Sequence, residues 1–101
     1  MSLSDFDKKF VHATIIRKNH TFLLNNLNAK VDLLDHLYVS GVLLSDEHEL
    51  IKSQKTSETQ NQELLSVLKR KNKDHFDKFL EALDRTQQSY IRNRLDQQCR
   101  D

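Results

Sequence analysis

The sequence has no proline and only one glycine, Gly41. Proline and glycine are the residues that most often interrupt helices and form turns, so their scarcity predicts helices joined by short polar turns. Apolar residues recur at helical spacing, and no segment shows the sustained alternation of apolar and polar residues that indicates a strand. The pattern therefore predicts an all-α protein.

The sequence also has a single cysteine, Cys99, and no long apolar segment. One cysteine excludes an internal disulfide. No stretch approaches the ~18 apolar residues that a membrane-spanning helix needs. Residues 1–5 lack the basic and then apolar pattern of a signal peptide. Together these features predict a cytoplasmic location, where thiols stay reduced.

Patterns typical of catalytic and metal sites are missing as well. Cys99 lies in a polar segment beside the chain end, without the base and orienting group that a nucleophile needs. The five histidines are His12, His20, His36, His48 and His75. None forms an HxxxH or HExxH motif, so we expect surface or helix-end positions rather than a zinc site. The prediction is a non-enzymatic protein with no catalytic residue, no metal and no cofactor.

The length and charge balance limit the possible functions further. The 101 residues suffice for one domain, which we expect to span residues 1–101. The 16 basic and 15 acidic residues nearly cancel, whereas a dedicated nucleic-acid binder usually carries a strong basic excess. Nucleic acid and membrane are therefore not expected partners.

Six segments place apolar residues on one side of a helix. The first begins at Phe6 and ends at Leu27, and its spacing loosens near residues 18–20, where a bend or break is expected. Tyr38 and Tyr90 are assigned to the apolar faces of the second and sixth segments. The clearest stripe, in the fifth, consists of Phe76, Phe79, Leu80 and Leu83. Such short helices persist only when packed together, so we predict a six-helix antiparallel bundle with a bent or broken first helix.

Several polar residues fit the expected helix ends. Ser45 and Ser57 are candidate N-caps, and Gln60 stands at capping-box spacing from Ser57. Asn72 or Asp74 is the candidate start of the fifth helix. The lone glycine fits the C-cap of the second helix.

The two signs of charge are segregated along the chain. The basic residues of the first and fourth predicted helices are Arg17, Lys18, Lys69, Arg70 and Lys71. The acidic residues of the second and third are Asp32, Asp35, Asp46, Glu47 and Glu49. Two such faces would allow head-to-tail association, with partner choice set by electrostatic complementarity. Three other interpretations stay open: bases that stabilise a helix C-terminus, a solvated charged surface, and a nucleic-acid or nuclear-import patch at residues 69–73.

The order of these segments resembles the caspase recruitment domain (CARD) family. Residues 16–19 (IRKN) and the leucines that follow resemble its first helix. Residues 33–37 (LLDHL) and 40–43 (SGVL) resemble its second helix and turn, and residues 47–51 (EHELI) resemble its third. The most telling match is the fifth helix, residues 76–83 (FDKFLEAL), continued by residues 86–88 (TQQ). The similarity covers about residues 8–98, taken as the domain core.

The resemblance implies a six-helix death fold and homotypic binding to another CARD in apoptotic or inflammatory signalling. The partner would be an adaptor, a receptor, a caspase or a second copy, and the module itself would not be catalytic. The resemblance points to the prodomain of an initiator caspase or to its adaptor, with a cysteine protease attached in the first case. It also places Arg17 and Lys18 in a basic patch and Asp35 and Glu47 in an acidic one.

The sequence departs from the family pattern where relatives carry bases. Glu58 and Gln62 occupy early positions of the fourth helix that are often basic in relatives. In the first predicted helix, His20 likewise occupies a position that is often basic. Weight in the basic patch therefore moves to the end of the fourth helix. Two alternative functions remain open: a stand-alone CARD that acts as a decoy for such assemblies, and a small helical nucleic-acid-binding domain.

Overall fold

The computed structural model describes the backbone of residues 5–29 and 31–100 and the side chains of residues 12–29 and 32–95. These ranges contain helices and no strand, which confirms the all-α prediction. The helices are α1 (Asp5–Lys18), α2 (His20–Asn26), α3 (Val31–Val39), α4 (Ser45–Lys52), α5 (Ser57–Arg70), α6 (Lys73–Arg85) and α7 (Ser89–Arg100). No helix in the described part of the chain is long and apolar enough to cross a membrane.

The first predicted helix is divided into α1 and α2 at Asn19, so the described residues form seven helices where six were expected. The break lies where the sequence predicts one. The Asn19 side chain donates to the carbonyl oxygen of Ile15 at 2.9 Å, a local bond that competes with the helical ladder and favours a bend. From α7, Arg94 donates to Asn19 Oδ1 at 3.3 Å and lies 4.1 Å from the ring centroid of Phe22. The break is therefore tied to a distant helix.

Two of the predicted N-caps are wrong by one residue. Helix α5 is capped by Thr56, whose hydroxyl accepts the backbone N–H of Thr59 at 3.1 Å, and Ser57 is the first helical residue. Helix α4 likewise begins with Ser45, so that the N-cap position falls on Leu44. For α5, Thr56 and Ser57 offer equivalent hydroxyl caps in sequence, and only the backbone geometry selects between them.

Two other helix ends are as predicted. Asn72 caps α6 by accepting the backbone N–H of His75 at 2.9 Å. Gly41 follows α3 with φ of 86°, a left-handed conformation that glycine adopts without strain. Its N–H donates to Tyr38, and the next N–H, from Val42, reaches back to the carbonyl of Leu37. These two backbone hydrogen bonds close α3 and turn the chain sharply towards α4.

The apolar faces of the helices meet in one core. The four apolar residues predicted for the fifth helix are all buried in α6. Tyr38 and Tyr90, which were also assigned to apolar faces, are instead about half exposed. Each ring lies at the edge of its helix. Tyr38 stacks on His48, and the Tyr90 hydroxyl donates to the Asn26 carbonyl at 3.1 Å. Phe6 and Cys99 lie outside the described side chains.

His12 is buried, which corrects the surface or helix-end position expected for it. Its Nε2–H donates to the backbone carbonyl of Lys71, the C-cap residue of α5. Its ring also lies 5.8 Å from that of Phe76 on α6. The hydrogen bond satisfies Nε2 of this ring at the junction of α1, α5 and α6, whereas its buried Nδ1 has no hydrogen-bond partner among the described residues.

The segment that links α2 to α3 is held by side-chain amides from distant positions. The Asn61 amide of α5 donates to the carbonyls of Leu24 at 3.1 Å and Leu27 at 2.9 Å. The Gln88 amide accepts the N–H of Asn28 at 2.8 Å and donates to its carbonyl at 3.1 Å. These two buried amides satisfy backbone groups at a helix end, where the helical ladder cannot.

We expect Phe79→Ala to lower the free energy of unfolding by roughly 3–5 kcal/mol, because its fully buried ring would leave a cavity. Urea denaturation measures the change. Val39→Ala, at a residue that is 87% exposed, is the control and should change stability by less than about 0.5 kcal/mol. Equal losses in the two variants would remove Phe79 from the core.

We expect Asn61→Asp to destabilise the fold by at least about 1–3 kcal/mol at neutral pH, because a carboxylate cannot donate to the carbonyls of Leu24 and Leu27. Gln62→Glu makes the same chemical change at the exposed neighbouring position and should be nearly neutral. Thermal unfolding compares the two. If Asn61→Asp lost no more stability than Gln62→Glu, the hydrogen bonds from Asn61 to the carbonyls of Leu24 and Leu27 would not be needed for stability.

Candidate functional site

Two pairs of neighbouring helices carry the charged residues selected from the sequence. Contacts of His12 with Lys71 and of Asn61 with Leu24 show that α1 and α2 run antiparallel to α5. The tight turn at Gly41 folds α4 back against α3, so these two helices form an antiparallel hairpin. The pair α1–α5 carries the basic residues and the hairpin α3–α4 carries the acidic ones.

The basic residues lie at two levels of the α1–α5 pair. Arg17 and Lys18 are exposed in the last turn of α1, and Lys69 and Arg70 occupy the last turn of α5. Because the helices are antiparallel, these two ends do not coincide. Arg17 lies five residues beyond His12, whose level matches the end of α5, so the two groups are about 8 Å apart along the axis.

The acidic residues extend across both helices of the hairpin. Asp32 and Asp35 are exposed one turn apart on α3, and Asp46 and Glu49 are exposed on α4. A hydrogen bond of 2.9 Å between Asp35 Oδ1 and His48 Nε2 joins the two helices. This bond places Asp35 beside α4, with Asp32 one turn earlier on α3, whereas Asp46 lies about 160° around the α4 axis from His48.

Glu47 and Lys71 bring the acidic and basic sets into contact. Lys71 Nζ lies 2.8 Å from Glu47 Oε1, and both side chains are largely buried, at 17% and 18% exposed. Burial raises the pKa of the Glu47 carboxyl, but the hydrogen bond from the Leu44 N–H and the charge of Lys71 lower it more, so that its pKa falls below 4.5. These two charges neutralise each other within the domain.

Sequence reasoning missed three exposed apolar residues beside the acidic set: Tyr38, Val39 and Leu44. The pattern of α3 contains a usable signal. Leu33, Leu34 and Leu37 already fill one face of the helix, and Val39 lies two residues further, about 160° around the axis from Leu37. A β-branched residue in that position has no core to enter.

The charged residues of the two helix pairs are considered next for what they can bind. Among the described residues, no group of three or more histidine, cysteine, aspartate or glutamate side chains is placed to hold a metal ion. The exposed charges of the two helix pairs can instead form ion pairs and hydrogen bonds with a second macromolecule, in which steering by opposite charge favours a complementary partner.

We expect Glu47→Gln to lower stability by roughly 0.5–2 kcal/mol at pH 7, since it removes a mostly buried ion pair with Lys71. Folding lowers the pKa of Glu47, so its contribution is present above pH 4.5 and is lost as the pH falls through the lower folded-state value. Denaturation of both proteins between pH 7 and pH 3 should therefore show the two stabilities converging.

Asp77→Asn is the matched control, because Asp77 pairs with Lys73 at 3.7 Å on an exposed surface where ion pairs contribute little. Its stability should follow that of the unmodified chain at every pH. If Glu47→Gln lost the same amount of stability at pH 3 as at pH 7, that result would contradict the ion-pair account.

The chain is similar in sequence to known proteins. The family model described as caspase recruitment domain matches residues 13–98. Chicken (Gallus gallus) caspase-2 is 29% identical over 80 residues, which are 79% of this chain and 19% of that protein. The chain thus spans about a fifth of the length of the curated relative that it matches. Since the family model covers most of the chain, this protein belongs to the caspase recruitment domain family.

Proposed function

We propose that this chain is a homotypic interaction module that binds another CARD and so assembles an apoptotic or inflammatory signalling platform in the cytoplasm. The observation that carries the proposal is the grouping of exposed bases at the ends of α1 and α5 and of exposed carboxylates on α3 and α4, beside exposed Glu58 on α5 and Lys52 on α4. A related domain with the same two charged groups would present a complementary surface to each helix pair. The match to caspase-2 supports a role as the recruiting segment of such a protease or of its adaptor.

The module would act without catalysis of its own. Docking through several weak charged contacts raises the local concentration of whatever is joined to the module, and tethering makes encounters efficient without new contacts. For an attached protease, this would bring zymogens together so that they activate one another. The near-neutral overall charge fits a partner selected by local surfaces rather than by net charge.

The ten candidate residues would not contribute equally. Lys71 and Glu47 already satisfy each other, so a partner that used either charge would first have to replace a mostly buried ion pair. We therefore assign these two residues to positioning the surfaces. The residues assigned to direct contact are half-buried Lys69 and the exposed residues Arg17, Lys18, Arg70, Asp32, Asp35, Asp46 and Glu49.

The proposal is tested by measuring binding of the purified chain to a panel of CARDs from adaptors, receptors and caspases. We expect selective binding to a panel member, weakened at least about tenfold by Asp35→Lys or Arg17→Glu, depending on which surface is engaged. Circular dichroism and thermal unfolding must first show that both variants are folded. This matters for Asp35→Lys, which also loses the hydrogen bond with His48.

The matched charge reversals are Asp77→Lys and Arg85→Glu, which alter exposed residues of α6 outside both surfaces. They should bind like the unmodified chain. Equal weakening by all four variants would indicate a general charge effect, and unchanged binding in Asp35→Lys and Arg17→Glu would remove both surfaces from the interface.

A further inference from the structure

The turn between α6 and α7 holds a serine in contact with an ion pair. The Ser89 hydroxyl donates to Asp84 Oδ1 at 2.8 Å, and Arg92 Nη1 donates to Asp84 Oδ2 at 2.7 Å. One carboxylate therefore bridges Ser89 and Arg92. These two residues also stand at i and i+3 on α7, a spacing at which side chains on a helix surface are neighbours.

The guanidinium group of Arg92 keeps an unpartnered donor at this site. Its Nε atom is buried and has no hydrogen-bond partner in the part of the chain that the structure describes. A guanidinium group presents five N–H donors in a planar fork, which suits an anion that offers several oxygens at once. Asp84 shares its carboxylate between Arg92 and Ser89, so it leaves part of the fork unsatisfied.

Ser89 is also exposed and lies in basic surroundings. Residues 85–94 contain no acidic residue and include Arg85, Arg92 and Arg94. Ser45 and Ser57, which are exposed at the starts of α4 and α5, are each followed directly by an acidic residue. The charge pattern around a serine is one of the features by which kinases select their substrates. Ser89 thus offers a reachable hydroxyl in a setting that the other two serines lack.

We propose that Ser89 is a phosphorylation site and that Arg92 binds the phosphate in place of Asp84. A serine kinase that selects basic surroundings transfers the γ-phosphoryl group of ATP to Ser89 Oγ. The new O–P bond forms as the bond from the γ-phosphorus to ADP breaks, and the hydroxyl proton is released. This inference does not rest on the proposed binding to another CARD, because Ser89 lies on α7, outside both charged surfaces.

The phosphate displaces Asp84 for two physical reasons. It carries a charge of about −1.5 to −2 and three acceptor oxygens, so it can accept from Nε as well as Nη1 of Arg92. The esterified Ser89 oxygen no longer donates to Asp84, and the two negative groups repel each other. The Asp84 side chain is 36% exposed, so it can turn into solvent. A link between α6 and α7 is thereby exchanged for a link within α7.

Incubation of the folded chain with ATP and a set of purified, arginine-directed serine kinases tests the acceptor. We expect phosphate at Ser89, located by mass spectrometry of peptides, and none at this position in Ser89→Ala. Ser57→Ala is the matched control, and its Ser89 should be phosphorylated as in the unmodified chain. If Ser89 stayed unmodified under conditions in which these kinases phosphorylate their peptide substrates, the proposal would be overturned.

NMR of the chain with phosphoserine incorporated in place of Ser89 tests the contact with Arg92. We expect the Nε–H proton of Arg92 to exchange with water at least about tenfold more slowly, because charge-assisted hydrogen bonds are the stronger ones. Phosphoserine in place of Ser57 is the matched control. Ser57 is likewise the first residue of a helix, but Gln60 stands three residues later where α7 has Arg92, so the Arg92 proton should not respond.

Two further results would overturn the proposal. One is an Arg92 proton that exchanges at the same rate with and without phosphate at Ser89. The other is loss of the thermal unfolding transition on phosphorylation, because a phosphate that Arg92 binds leaves α7 folded. Neither result would refute the proposed function, since binding to the panel of CARDs is measured with the unphosphorylated chain.

Discussion

Lys71 joins the basic helices to the acidic ones, and the arrangement of both charged surfaces depends on it. Its backbone carbonyl accepts the N–H of buried His12 on α1, and its ammonium group pairs with Glu47 on α4. The residue is also the C-cap of α5. One position at a helix end therefore fixes α1, α4 and α5 relative to one another, and with them the exposed residues on each side.

The elements that were predicted well are those determined by nearby sequence. The regular stripe of α6, the Asn72 cap and the turn at Gly41 each depend on residues within a few positions. The break at Asn19 is visible for the same reason, as a loosening of the apolar spacing. The prediction still counted this segment as one helix, whereas the structure has two. The hydrogen bonds from Asn19 and Arg94 that stabilise the break are not visible in the apolar spacing.

The features that sequence reasoning missed depend on residues far apart in the chain. His12 and Lys71 are 59 positions apart, and Gln88 and Asn28 are 60 apart. The sequence around a helical histidine does not indicate that a distant carbonyl will accept a hydrogen bond from its ring. The candidate surfaces show the same division between local and distant information. The order of charges along the chain assigned acids and bases to separate helices. The internal pairing of Glu47 with Lys71 is visible only in the fold.

The central claim is that the α3–α4 surface and the α1–α5 surface mediate docking between domains. The most direct measurement is an NMR titration of the ¹⁵N-labelled chain with the unlabelled chain, following the backbone amide shifts. The account predicts concentration-dependent shifts on α3 and α4 together with α1 and α5, while amides of the described part of α7 stay unchanged. Shifts confined to α6 and α7, or no shifts at concentrations where the chain self-associates, would contradict it.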